Sequence, residues 1–213
     1  VGCEFYGICY AIAWSLVGKL LATIGSRKVL TIYNTSVPRA AGWSPLFKLE
    51  CDYVGRAVAF GPKRPDGLMH LACGGDNNEI SVLEIRGREG TWETILRLPR
   101  DGAINSLDWS SNGLLAAAIG NGTVSIIDLS YLQCGVAAYE MDYNWQRQAV
   151  TSFTEIRRNR GKNAMQSVRW MPDGAREESL LAVGGSDGEL ELIDLTERSR
   201  CRGYDNPQQK GKK

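Results

Sequence analysis

One histidine, His70, occurs in 213 residues. Base-assisted nucleophilic catalysis and His-rich metal binding therefore have almost no raw material. No CxxC occurs either. Cys3, Cys9, Cys51, Cys73, Cys134 and Cys201 stand apart, which removes the usual zinc-ribbon spacing. Unpaired thiols of this kind suit a reducing, intracellular compartment, cytoplasmic or nuclear. Charge of one sign is not in excess: 25 basic against 24 acidic residues leave a formal net charge of +1. Bulk electrostatics thus gives no reason to expect a nucleic-acid or membrane-surface protein. A phosphate loop is missing too. Gly184-Gly185-Ser186-Asp187-Gly188 is glycine-rich, but it leads into a strand pattern and carries no Lys-Ser/Thr. The most apolar stretch, ICYAIAWSLVGKLLATI at 8–24, has no basic leader, is short for a membrane span and contains Lys19. It reads as two strands joined by a turn at Leu16–Lys19. No enzyme, metal, cofactor, small-molecule substrate or membrane is expected from these absences. The sequence opens on Val1, so an N-terminal part removed or a fragment of a longer chain is the expectation.

What the sequence does contain is a repeat. Leu181-Ala182 is followed by Gly184-Gly185, a turn, Leu190, Leu192, Ile193 and Asp194. The same order recurs from Leu115-Ala116 to Asp128, from Leu71-Ala72 to Glu84, and from Leu21-Ala22 to Asn34. From the Ala to the terminal polar residue the distance is 12 each time. A fixed count is what a hairpin demands, because a one-residue slip turns every side chain to the other face. Upstream of each Ala an aromatic closes an apolar run: Trp14, Phe60, Trp109 and Trp170. From aromatic to Ala the distance varies, at 8, 12, 7 and 12 residues. Constant strands joined by variable turns mark loops on a rigid scaffold.

Each copy therefore predicts three strands. The pairs Asp187-Gly188 and Asn121-Gly122 predict two-residue type I′ turns, which need positive φ twice. Asn77-Asn78 is acceptable there, whereas Arg27-Lys28 predicts a longer or looser turn. A fourth strand fits SPLFKLE at 44–50, TWETILRL at 91–98 and VAAYEMDYNW at 136–145. The intervals between the aromatics are 46, 49 and 61 residues. The longest holds an inserted basic loop at about 148–163, with a short helix conceivable around Thr151–Arg158. Three strands plus one at such intervals predict four-stranded blades of a β-propeller.

The segments AIAWS…LLATIGS…VLTIYN, AVAFGP…LACGGDNNEISVLE, SLDWSSNGLLAAAIGNGTVSIIDL and SVRWMPDG…LLAVGGSDGELELIDL resemble the WD40 repeat family over about residues 5–198. With Ile-Asp in place of Trp-Asp, they look like the divergent WD40 domain of the anaphase-promoting-complex subunit 4 type. The resemblance implies an all-β propeller with about four blades present, an incomplete ring, near 5–50, 51–99, 100–150 and 160–198. A basic tail at 199–213 is expected to be disordered. The family's Gly-His would fall near Cys51, Arg100 and Gly161, none of which is His, and its turn Asp is matched only by Asp187. The His–Ser–Trp–Asp hydrogen-bond network of well-matched members is thus expected to be missing. Packing of Trp14, Phe60, Trp109 and Trp170 has to take its place, with Asn34, Glu84, Asp128 and Asp194 closing equivalent strands. Blade four lacks an outer strand in sequence, so open edges are expected.

For function, the resemblance implies a non-catalytic scaffold for protein–protein interactions in a multiprotein complex. Candidate contacts lie in the turns: Arg27, Lys28, Arg56, Asn77, Asn78, Arg100, Asp101, Asn121 and Asp187. The basic loop adds Arg157, Arg158, Arg160 and Lys162. An alternative is RNA or ribonucleoprotein association through that loop and the tail. A third, a propeller enzyme, has no specific support: His70 sits inside a strand, at its solvent side or core edge, and Asp128 and Asp194 read as strand-end residues bonding turn amides.

Overall fold

A computed structural model of the chain describes residues 7–36, 43–64, 66–86, 91–130, 132, 153–157, 163–172 and 180–195, with the backbone alone at 153–157. These residues form four antiparallel sheets laid down one after another. Sheet one holds β1 (Cys9–Trp14), β2 (Leu20–Gly25), β3 (Val29–Asn34) and β4 (Pro45–Glu50). Sheet two holds β5 (Gly55–Phe60), β6 (Met69–Gly75), β7 (Glu79–Arg86) and β8 (Thr91–Pro99). Sheet three holds β9 (Ile104–Trp109), β10 (Leu114–Ile119), β11 (Thr123–Asp128) and β12 (Phe153–Arg157). Sheet four holds β13 (Met165–Trp170), β14 (Leu180–Gly185) and β15 (Leu190–Asp194). Strands neighbour in chain order within every sheet, and β1, β5, β9 and β13 pack against one another in series as the inner strands.

The 12-residue spacing is a register. Leu20 pairs with Asn34, His70 with Glu84, Leu114 with Asp128 and Leu180 with Asp194. Side chains alternate between faces along a strand, so the repeated Leu-Ala sends Leu to one side and Ala to the other. Leu71, Leu83 and Val58 of sheet two pack on Ala22, Ile24 and Ile32 of sheet one. The opposite face of sheet two, with Ala57, Ala59 and Ala72, packs on Leu107, Leu115 and Ile127 of sheet three. Ala116 and Ala118 of sheet three then meet Val168, Leu181 and Ile193 of sheet four. A large-residue face on an alanine-rich face lets successive sheets close without voids. This is the architecture of propeller blades. The stack stops at two exposed faces: Ile12 and Trp14 of sheet one are 62% and 51% exposed, and Leu190 and Leu192 of sheet four 74% and 61%.

Several sequence expectations are corrected. The turns between second and third strands are not type I′. Among the described residues only their last member has positive φ: Lys28 (60°), Asn78 (58°), Gly122 (86°) and Gly188 (79°). That is a type I turn closed by one left-handed residue. The first turn is no looser than the rest, since Lys28 N donates to Gly25 O at 3.2 Å just as Gly188 N donates to Gly185 O at 3.2 Å.

The outer strand of sheet three is β12, inside the segment read as an inserted basic loop or short helix. Its residues pair with β11, Ile156 opposite Val124 and Thr154 opposite Ile126. The 136–145 candidate, the remainder of the expected loop and the 199–213 tail lie outside the described residues. Finally, the four aromatics are not four core residues. Trp170 is buried, Phe60 and Trp109 are half-buried and Trp14 is exposed. The core is mainly Leu, Ile, Val and Ala, with Trp170 the one aromatic of the four inside it. Among the described residues no helix is long and apolar enough to cross a membrane.

Candidate functional site

Every inner strand carries the same irregularity near its start. Pairing skips one residue between Cys9 and Ala11, Gly55 and Ala57, Ile104 and Ser106, and Met165 and Ser167. The extra residues are Tyr10, Arg56, Asn105 and Gln166. A β-bulge leaves one residue unpaired and re-aims its side chain. Here all four line one cavity of ≈ 280 Å³ between the inner strands. In sheets one and two a glycine opposite the bulge allows close backbone approach, since a Cβ on Gly25 would lie 2.0 Å from Ile8 O and one on Gly75 2.0 Å from Val54 O, whereas in sheet three Ile119 stands opposite Ile104. Gly25 and Gly75 are therefore fixed by this backbone approach.

The second-to-third-strand turns stand at this same end of the blades. Asn77, Asn121 and Asp187 each accept a backbone N–H two residues on through Oδ1, from Glu79 (3.4 Å), Thr123 (3.0 Å) and Glu189 (3.0 Å). That local bond explains the Asn/Asp preference. The first turn lacks such a residue and is tied differently: Ile8 N donates to Ser26 Oγ at 2.9 Å, and Lys28 Nζ to Asp52 O at 3.1 Å. Exposed Arg27 lies between Ser26 and Lys28. Arg100 N donates to Asn78 O at 2.7 Å, which places Arg100 and the exposed Asp101 beside the second turn. Arg56 forms an ion pair with Asp76, joining a bulge residue to the same turn. The structure thus gathers Arg27, Lys28, Arg56, Asn77, Asn78, Arg100, Asp101, Asn121 and Asp187 at one end. It does not bring Arg157 into a loop, because that residue ends β12 opposite Thr123. Arg158, Arg160 and Lys162 lie outside the described residues.

Tyr10, Asn105 and Gln166 were missed by sequence reasoning. Their signal was present: with Arg56, each stands four residues before its aromatic, a polar or phenolic residue inside an apolar run. Asn105 Nδ2 donates to Met165 O at 2.8 Å and links sheets three and four. A phenol, a guanidinium and two carboxamides supply donors and acceptors suited to a peptide backbone. They include no nucleophile with its base. Among the described residues no group of three His, Cys, Asp or Glu side chains is placed to hold a metal ion.

At the other end the loops between first and second strands carry a buried network. His70 is not at a solvent side: it is 2% exposed, and Arg64 and Glu84 are each 1% exposed. Arg64 Nη1 donates to His70 Nε2 at 3.1 Å, and Arg64 also pairs with Asp66. Since Nε2 accepts, it has no proton to offer Glu84 Oε2 at 3.5 Å. Glu84 Oε1 accepts from Arg86 Nε at 2.8 Å. Burial, then the Arg64 charge, push the imidazole down to about 4, with Glu84 acting in the opposite direction. Glu84 occupies the strand-end position where Asn34 and Asp128 instead bond the amides of Ser36 (2.9 Å) and Ser130 (3.0 Å). Blade two thus has its own buried network, recruited from its long loop.

No family model matches the chain. Solved structures do. Sqt1 from Chaetomium thermophilum bound to the N-terminus of the ribosomal protein L10 matches at 21% identity and a TM-score of 0.64, over 88% of this chain and 46% of that one. Sqt1 alone matches at 21% identity and 0.65, over 90% and 46%. U3-55K matches at 19% identity and 0.60, over 87% and 46%. The chain spans just under half the length of these structures. They are WD40 propellers, so the likeness shows the fold: four antiparallel WD40-type blade sheets.

Proposed function

We propose that this chain is a non-catalytic scaffold that binds a segment of another protein at the turn-bearing end of its inner strands, within a multiprotein complex. The observation that carries the reading is the repeated bulge. Four independent strands each turn one hydrogen-bonding side chain into a single cavity, on a platform held by four equivalent turns. Sites on such rigid elements are pre-organised, which lowers the entropy cost of binding. The structure of Sqt1 with the N-terminus of L10 shows a protein of this fold bound to a terminal protein segment, which supports the same mode here. RNA association is the weaker reading, because one of its four proposed loop cations, Arg157, belongs to a strand. The Ile-Asp strand ends at 127–128 and 193–194 favour a complex of the anaphase-promoting-complex subunit 4 type. Unpaired Cys9, Cys51 and Cys73 favour an intracellular setting.

The test is affinity capture with the full chain, comparing wild type with Tyr10→Ala, Arg56→Ala and Gln166→Ala. Each truncation is expected to weaken retention of the same protein partner by about 1–2 kcal/mol. Lys48→Ala on the outer strand β4 is expected to change nothing. Retention equal in all four variants contradicts the reading.

A further inference from the structure

The inner strands have a second end, and its chemistry differs. Trp14, Phe60, Trp109 and Trp170 close β1, β5, β9 and β13, roughly 13 Å along each strand from the bulge residues. All four line a cavity of ≈ 570 Å³. Beside it lies a second cavity of ≈ 650 Å³, walled by apolar residues such as Val17, Leu46 and Met69. Lys63 lines both.

Charge on the linings of these two cavities is one-sided. The cations lining the two cavities are Lys63, Arg169 and Lys19. Among the described lining residues, Asp108 is the lone carboxylate, and it is already engaged. Its Oδ2 accepts from Trp170 N at 2.7 Å and its Oδ1 from Arg169 Nη1 at 3.1 Å. Burial raises its pKa, with the Trp170 amide and Arg169 pulling it back. The pairing uses Arg169 through Nη1, and the side chain remains 66% exposed. Lys19 and Lys63 are exposed, with no ion-pair partner among the described residues. Asp66, next to Gly67 at the rim, is held by Arg64.

We propose that this end is a second docking surface, for an acidic and apolar segment of another protein. Its carboxylates meet Lys19, Lys63 and Arg169, and its apolar side chains lie on Trp14, Phe60 and the neighbouring wall. Charge complementarity selects the occupant. A three-cation rim over an apolar floor matches Glu or Asp interleaved with Leu or Phe. Single-stranded nucleic acid calls for a cationic groove that follows many phosphates, and this rim is short. The surface lies at the other end of the inner strands from the bulge residues, shares Arg169 with the bulge cavity, and goes beyond the function proposed above.

The test is fluorescence anisotropy on the full chain at low salt. Its probes are labelled twelve-residue peptides alternating Glu with Leu or Phe, their Lys-for-Glu counterparts, and a labelled oligouridine. The Glu peptides are expected to bind. Lys19→Glu combined with Lys63→Glu should weaken them about tenfold or more, and Trp14→Ala should weaken them as well. Tyr10→Ala and Gln166→Ala, at the opposite end, should leave this binding unchanged, so the two surfaces fail or stand separately. Both lysines are exposed, so their replacement leaves the fold intact. The proposal is overturned if Glu peptides bind no better than Lys peptides. It is equally overturned if the double lysine variant binds them like wild type, or if oligouridine binds more tightly and depends on the same residues.

Discussion

At the residue scale, His70 shows how a position changes meaning once its neighbours are known. In sequence it is a lone histidine in a strand. In the structure it is a neutral acceptor for Arg64, walled in beside Glu84. Its folded pKa, about 4, lies below the ordinary 6.5. A histidine depressed in this way contributes stability that is fully present above pH 6.5 and is lost as pH falls towards 4. The loss amounts to about 3 kcal/mol at the acid end. Thermal melts of wild type and His70→Gln between pH 7.5 and 4 are the check. The wild type should lose more stability than the variant over that window, and parallel profiles would show that the imidazole has the same pKa folded and unfolded. Trp109 and Trp170 make a second residue-scale contrast. Trp170 Nε1 donates to Asp108 O at 3.2 Å, whereas the buried Trp109 Nε1 has no partner among the described residues. Trp170→Phe should therefore cost about 1 kcal/mol more than the same change at 109, measured by urea unfolding.

At the element scale, the hairpin turns carry the account. Lys28 holds a left-handed conformation at the place where Gly122 and Gly188 stand in other blades. Lys28→Gly should stabilise the chain by about 1 kcal/mol. Gly122→Ala should destabilise it by more than that, because φ is 86° and the new Cβ would sit 2.8 Å from Asn163 O. Both are read by chemical denaturation. These turns also show how far sequence reasoning reached. The 12-residue count gave hairpin register in all four blades, since register is a property of local spacing. It did not give turn type, because Asn-Gly and Asp-Gly suit both a type I′ turn and a type I turn with one left-handed residue. Nor did it place β12. Phe153–Arg157 is short and sits among arginines, so charge masked the alternation of Phe153, Glu155 and Arg157 with Thr154 and Ile156. The polar residue four before each aromatic marks the bulge position, but not the bulge itself. An unpaired residue leaves no count in one strand and shows only when its partner strand is laid beside it.

At the scale of the whole molecule, four blades stack through alternating alanine-rich and bulky faces and leave one of each kind at the ends. Ile12 and Trp14 are bulky and exposed, and Leu190 and Leu192 are exposed at the far end. Apolar faces of this sort associate. The chain studied alone should show concentration-dependent self-association by light scattering, and Leu190→Lys with Leu192→Glu should reduce it. A stable monomer at every concentration would show that these faces are covered by other means. The inner strands run between two dissimilar ends, one polar and re-aimed by bulges, the other aromatic with a cationic rim.

The central claim is that the bulge residues form a protein-binding site. Placing a photo-crosslinking amino acid at Gln166, with Lys48 on the outer strand as the control position, tests it in cell extract. A discrete protein adduct is expected from position 166, absent from position 48 and lost when Tyr10 and Arg56 are truncated. Adducts of equal yield at both positions, or adducts to RNA alone, would contradict it.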